Sequence, residues 1–146
     1  MSKLIKMLQK AHAGEWAAYL AYEGHSASLI KTNPSAASFI KEIQKEEWFH
    51  RQTVGFMLIE LKGEPSPIRE MIMFFIGRSA SALCYISGNW ASAVGAELIE
   101  HIGATSYKEM AELARDEGYP AMAVELEYMA RVEEQHAKFF QSLKKL

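Results

Sequence analysis

Proline stands at only four positions in this chain, Pro34, Pro65, Pro67 and Pro120, and their spacing constrains the fold more than any other feature. Proline breaks a helix interior but is tolerated in the first turn, so these sites punctuate the long helical runs between them. Residues 2 to 31 carry apolar groups at helical spacing, in Ile5, Leu8, Tyr19, Tyr22 and Leu29, and the run ends at Thr32-Asn33-Pro34. A second helix is predicted from near Pro34 through Phe39, Ile43, Val54 and Leu58 to a stop at Gly63, with GEPSP as a connection. From Pro67 to about Ser87 the chain is mostly apolar but is interrupted by Arg78. That stretch is too short and too polar for a membrane span and reads as a crossover helix. A further helix runs from near Gly88 to Glu117, where Gly118-Tyr119-Pro120 supplies a stop and a restart, and the last helix takes the remainder. The expected fold is all-α, a single domain over residues 1–146, with two antiparallel hairpins joined by a helical crossover.

Composition removes several classes of function. Hydrophobic residues make up 49% and charged residues 23% of the chain, values of a folded globular protein rather than a disordered one. A formal net charge of -2, with no window dominated by Lys and Arg, provides no field to gather nucleic acid. The single cysteine, Cys84, allows neither an internal disulfide nor an all-thiolate metal site. The opening MSKLIKMLQKAHAGEW is amphipathic and does not read as a signal peptide, so cytoplasmic residence is the expectation.

Chemistry enters with two Glu-x-x-His pairs, Glu47 with His50 on the second helix and Glu133 with His136 on the last. Residues three apart share a helix face, and steps of four and seven residues show which face it is. Glu133 lines up with Leu126, Met129 and Phe140; Glu47 lines up with Ile40, Ile43 and Val54, with Arg51 at the border. Their neighbours Glu46 and Glu134 fall on polar stripes and should face solvent. On the first helix Glu15 shares a stripe with Leu8, Ala11, Tyr19 and Tyr22, and before the last turn Glu97 shares one with Trp90, Ala93 and Ala104. Measured from the hairpin turns, Glu15 and Glu47 lie about 18 and about 14 residues from Asn33, and Glu97 and Glu133 about 21 and about 15 from Gly118. Each pair therefore meets to within a turn or two.

Burying one unpaired carboxylate costs several kcal/mol, and four at one level repel each other as well. Two divalent cations would cancel their charge, and neutral imidazoles from His50 and His136 would complete an oxygen and nitrogen ligand set. One Glu from each of two helices plus Glu-x-x-His from the other two is the ligand pattern of ferritin-like di-iron and di-manganese bundles. The expected metal ligands are Glu15, Glu47, His50, Glu97, Glu133 and His136, holding two iron ions, with manganese or zinc able to take the same ligands. Glu100 is either a fifth carboxylate ligand or an acceptor beside one. Tyr19 and Tyr22 are core packing or donors to a ligand carboxylate, and His101, one turn from Glu97, is a surface histidine or a partner to a ligand. His12 and His25 read as ordinary surface or core histidines.

These residues resemble the demethoxyubiquinone hydroxylase family of ferritin-like di-iron proteins over nearly the whole chain. HAGEWAAYLAYEGHSASL is similar to that family's first-helix motif, KEEWFH and RVEEQH to its two Glu-x-x-His segments, and GNWASAVGAE to the approach of its remaining glutamate. The resemblance implies iron ligation by Glu15, Glu47, His50, Glu97, Glu133 and His136. It also implies hydroxylation of a quinone-like ring with dioxygen, an external electron donor, and peripheral contact of residues 68–87 with a membrane, at the inner face. Two features depart from the family pattern. Its His-Tyr pair beyond the third glutamate stands here as Ile102 and Gly103, or as His101 and Ile102 with a shift of one, and Arg78 with several serines interrupts the apolar crossover.

KAHAGE, the Glu97-x-x-Glu100 pair and AELARDEGYPAMA also resemble rubrerythrin, which implies peroxide reduction as the rival enzymatic reading. Iron oxidation and storage, and a metal-free structural bundle, are the non-enzymatic rivals. A homo-oligomer, by preference a dimer, is expected.

Overall fold

The computed structural model describes residues 2–145 as five helices with no strand among them: α1 (Lys3–Leu29), α2 (Pro34–Glu60), α3 (Pro67–Ser87), α4 (Asn89–Asp116) and α5 (Pro120–Leu143). Three helices begin with proline in the first turn, as the sequence predicts. Ser2 caps α1 by accepting from the Ile5 amide at 3.2 Å, and Asn33 caps α2 by accepting from the Ala36 amide at 3.1 Å. At the end of α4, Gly118 takes the left-handed conformation at φ 87°, and the Tyr119 amide turns back to the Ala114 carbonyl at 2.7 Å. The stop of α2 differs in detail from expectation. Lys62, not Gly63, takes the left-handed position at φ 55°, and the Gly63 amide closes the turn on the Leu58 carbonyl at 2.7 Å.

α1 packs antiparallel to α2, and α4 to α5, with further α1–α4 and α2–α5 contacts closing a four-helix bundle. α3 is the crossover and lies outside the bundle against α1 and α4. Only Gly77 of α3 is buried. At that point the helices nearly touch: a Cβ on Gly77 would come within 2.8 Å of Ala17 Cα, and one on Gly24 within 2.0 Å of the Ser81 carbonyl oxygen. None of the helices is long and apolar enough to cross a membrane.

The bundle interior divides into two apolar clusters. One holds Leu4, Leu8, Val54, Leu58, Met110, Leu126 and Met129. The other holds Tyr22, Leu29, Ile40, Ile43, Ala93, Phe140 and Leu143. Along each of α1, α2, α4 and α5 a buried glutamate lies between the two clusters, joined on α2 and α5 by a histidine, so the apolar core is cut by a polar layer. The chain is a ferritin-like helical bundle.

Candidate metal centre

Glu15, Glu47, Glu100 and Glu133, with His50 and His136, occupy that layer, each between 2% and 7% exposed. Ligand-type atoms converge in two groups, Glu15–Glu47–His50–Glu133 and Glu47–Glu100–Glu133–His136, with the atoms of each group within 4.8 Å of one another. Glu47 and Glu133 belong to both groups, the placement a bridging carboxylate needs. His50 Nδ1 lies 3.1 Å from Glu133 Oε1. His136 Nδ1 lies 3.1 Å from Glu47 Oε1 and 3.4 Å from both Glu100 Oε2 and Glu133 Oε2.

Electrostatics make the cluster unsettled by itself. Burial first, and then repulsion from neighbouring carboxylates, pushes Glu47 well above the ordinary carboxylate range and Glu15 above it. Burial is also the main cause that carries Glu100 well above it. Glu133 goes the other way: burial opposes ionisation, but polar contacts with Glu100 and His136 and a hydrogen bond with His50 outweigh it and hold the carboxyl low. Burial likewise opposes charge on His50 and His136, and their carboxylate neighbours overcome it and raise both. Even so, Glu47 Oε1, Glu133 Oε2 and His136 Nδ1 are buried with no well-directed hydrogen bond. Buried polar atoms are normally satisfied, and these three point at a common centre. Cations at that centre would satisfy all of them at once, so the donor set fits a pair of divalent metal ions.

The surroundings fit the same reading. His136 Nε2 lies 2.6 Å from Glu46 Oε2, which leaves Nδ1 free to face the centre, and an outer carboxylate of this kind fixes a ligand histidine's tautomer and orientation. The Tyr22 hydroxyl donates to Glu100, and the Tyr107 hydroxyl donates to Glu15. These bonds hold two carboxylates whose positions the helices alone would leave loose.

Five of the six expected ligands are brought together, and one is not. Glu97 lies away from the centre, with its carboxylate accepting from Lys144 at the end of α5, and Glu100 takes the inward place. The reason is the rotation of α4. Ala93, Ala96, Glu100, Ala104, Tyr107, Met110 and Ala114 form its buried face, whereas Trp90, on the stripe of Glu97, is 65% exposed. Gly103 lies beside Glu133: a Cβ there would stand 3.5 Å from the Glu133 carboxyl, an ordinary contact. His101 is exposed and touches no ligand, and Tyr19 packs on Trp48 with ring centroids 5.5 Å apart rather than donating to the site. Glu134 faces outward to Lys108 at 2.5 Å, as expected. Glu46 is half exposed, as its polar stripe suggests, yet it reaches over to His136, which the stripe alone did not indicate. Tyr107 was also not anticipated; its signal is its place seven residues beyond Glu100, two turns along the same face.

A cavity of about 430 Å³ between α1, α3 and α4 leads to this layer. Glu15, Glu47, Glu100, Glu133, Tyr22 and Tyr107 form its floor. Its walls are mainly small and aliphatic, among them Ala17, Ala21, Met73 and Gly77, with Lys10 and Arg69 also lining it. Ile72, Ile76, Ile99 and Ile102 line it too, and because each is between 49% and 56% exposed they mark its opening.

A ferritin-like bundle with a buried carboxylate–histidine layer and an apolar approach defines the class of di-iron carboxylate proteins. Within that class, residues 2–138 match the family model described as "Ubiquinone biosynthesis protein COQ7", and the chain belongs to this family. No curated protein and no solved structure gives a significant match to the chain.

Proposed function

We propose that the chain is a di-iron monooxygenase that uses dioxygen to hydroxylate an apolar, quinone-like ring in ubiquinone biosynthesis. The observation that carries this reading is the cavity: an apolar passage of substrate size ends on the carboxylate–imidazole layer. Family membership supports the same reaction class. Glu15, Glu47, His50, Glu100, Glu133 and His136 would hold two irons. Bound iron supplies the one-electron chemistry that dioxygen reduction requires and that no side chain here provides.

The chain's own residues do the rest. Aliphatic walls bind a flat apolar ring and exclude water from the floor, which strengthens every charge interaction there. Tyr22 and Tyr107 hold Glu100 and Glu15 in orientation, and Glu46 holds His136. One oxygen atom of dioxygen would enter a ring C–H bond and the other would leave as water, which takes two electrons from an external donor and two protons. Ile68, Met71, Ile72 and Phe75 of α3 are exposed beside the opening, an arrangement suited to receiving a substrate from a lipid surface.

The test is single turnover of iron-loaded, chemically reduced protein with a short-tailed quinone precursor that lacks the ring hydroxyl, under isotopically labelled dioxygen. A product carrying one labelled oxygen supports the reading. Efficient peroxide reduction with no labelled product would replace it with the rubrerythrin-like peroxidase.

A further inference from the structure

α3 supplies the outer wall of the cavity, and its packing on α1 leaves much of its apolar surface uncovered. Its one buried residue is a glycine, and Ile68, Met71, Ile72, Phe75 and Ile76 are all largely exposed. Hydrophobic stabilisation scales with area removed from water, so half-buried Met73 and Phe74 and the close approach at Gly77 seat this helix only in part, and polar contacts add to its hold.

One such contact, largely shielded from water, lies in its first turn. Glu70 Oε1 is 2.7 Å from His12 Nδ1 on α1, and Glu70 Oε2 accepts from Arg51 Nη2 on α2 at 2.6 Å. Arg51 closes the triangle by donating through Nη1 to the His12 carbonyl oxygen at 2.7 Å. Its guanidinium also sits 4.6 Å from the Trp16 ring centroid, and Trp16 packs on Phe74, one turn beyond Glu70, at 5.3 Å. The side chains of His12, Arg51 and Glu70 are only 10% to 15% exposed, so these charge-assisted bonds are largely shielded from water. Arg51 follows His50 directly, and Trp16 follows Glu15. The joint therefore grips the outer faces of the helices that carry the ligands, at the level of the ligands.

We infer that Glu70, by gripping Arg51 and His12 together, is a positioning residue that sets substrate affinity by fixing α3 as the outer wall of the cavity. This rests on the hydroxylase reading for what the cavity binds. Glu70 touches no ligand of the metal centre, and Met73, Ile76 and Gly77 on the wall follow it within two turns. Releasing it frees the wall and leaves the floor in place.

The experiment compares Glu70→Ala with the wild type in four measurements: iron bound per chain, amide hydrogen exchange, equilibrium binding of a short-tailed benzoquinone, and steady-state turnover. Expected are unchanged iron, faster exchange confined to residues 67–87, quinone affinity and KM each weakened about tenfold, and kcat within about twofold. Glu70→Gln, which keeps the shape and loses the charge, should fall between the two and serves as the test if the alanine variant does not fold. Unchanged quinone affinity with faster α3 exchange would overturn the inference, as would loss of iron in step with affinity. A wild type that binds no quinone would remove the hydroxylase reading and this inference with it. That outcome differs from failure of the joint alone, in which the wild type binds quinone and the variant binds it equally well.

Discussion

The Tyr107 hydroxyl on α4 donates a hydrogen bond to Glu15 on α1, 92 residues earlier in the chain. Burial first, and then the charge of Glu15, pushes this phenol well above its ordinary range, so it stays protonated and remains a donor. Tyr107→Phe should keep the packing and release the Glu15 carboxylate. Metal affinity should fall about 10- to 100-fold, the usual loss when a ligand's outer partner is removed, with helix content intact. Competition with a chelator of known strength measures this, and unchanged affinity would show that Glu15 needs no such support.

Glu97 and Glu100 lie one turn apart with opposite assignments. Glu100→Gln should sharply reduce bound metal. Glu97→Gln should retain it and cost about 1 kcal/mol of stability through its contact with Lys144. Metal content and thermal melting of the two variants decide the matter, and metal loss in the Glu97 variant would restore it as a ligand.

On α2 and α5 the contrast is between neighbours. Glu133→Ala and His136→Ala should lose metal, whereas Glu134→Ala, which breaks only the outward pair with Lys108, should not. Glu46→Ala should fall between them, about tenfold weaker, because it frees His136 Nε2 without removing a ligand. Equal metal loss in the Glu134 variant would contradict the inward facing of Glu133.

Stability should depend on pH differently with and without metal. In the metal-free protein Glu15, Glu47 and Glu100 are raised above their ordinary 4.5, so the folded state keeps protons that the unfolded chain releases. Their contribution falls as pH rises above about 4.5. His50 and His136 are raised above 6.5, and their contribution is complete below that pH and lost as pH rises through the folded values. Glu133, held low, contributes above 4.5 and is lost as pH falls below it. Metal binding would displace these protons, so the gain in melting temperature on loading should grow as pH rises above about 4.5. Melting curves of both forms test this, and a gain that shrinks with pH would exclude this ligand set.

Much of this was legible from residues alone. Proline placement, with Gly88 and Gly118, located all five helices, and apolar stripes faced Glu15, Glu47 and Glu133 inward together with the histidines three residues on from Glu47 and Glu133. The placement of Glu97 away from the cluster was not legible, for a physical cause: α4 is rich in alanine, so the stripes of Glu97 and Glu100 both read as apolar and differ by only 60° around the helix. Height carried the better signal. Glu100 stands about 18 residues from Gly118, nearer than Glu97 to the 15 of Glu133. Glu46 and the Glu70 joint were hidden for another reason: each links helices whose relative rotation no local pattern encodes.

The polar layer draws its ligands from both hairpins and none from α3. Neither hairpin alone presents a complete set, so bound ions would act as a rivet that can close only after the two halves have docked. Under gentle denaturation the rivet should spring before the helices melt, and colour or chelator capture would then register separation of the halves while circular dichroism still records full helix.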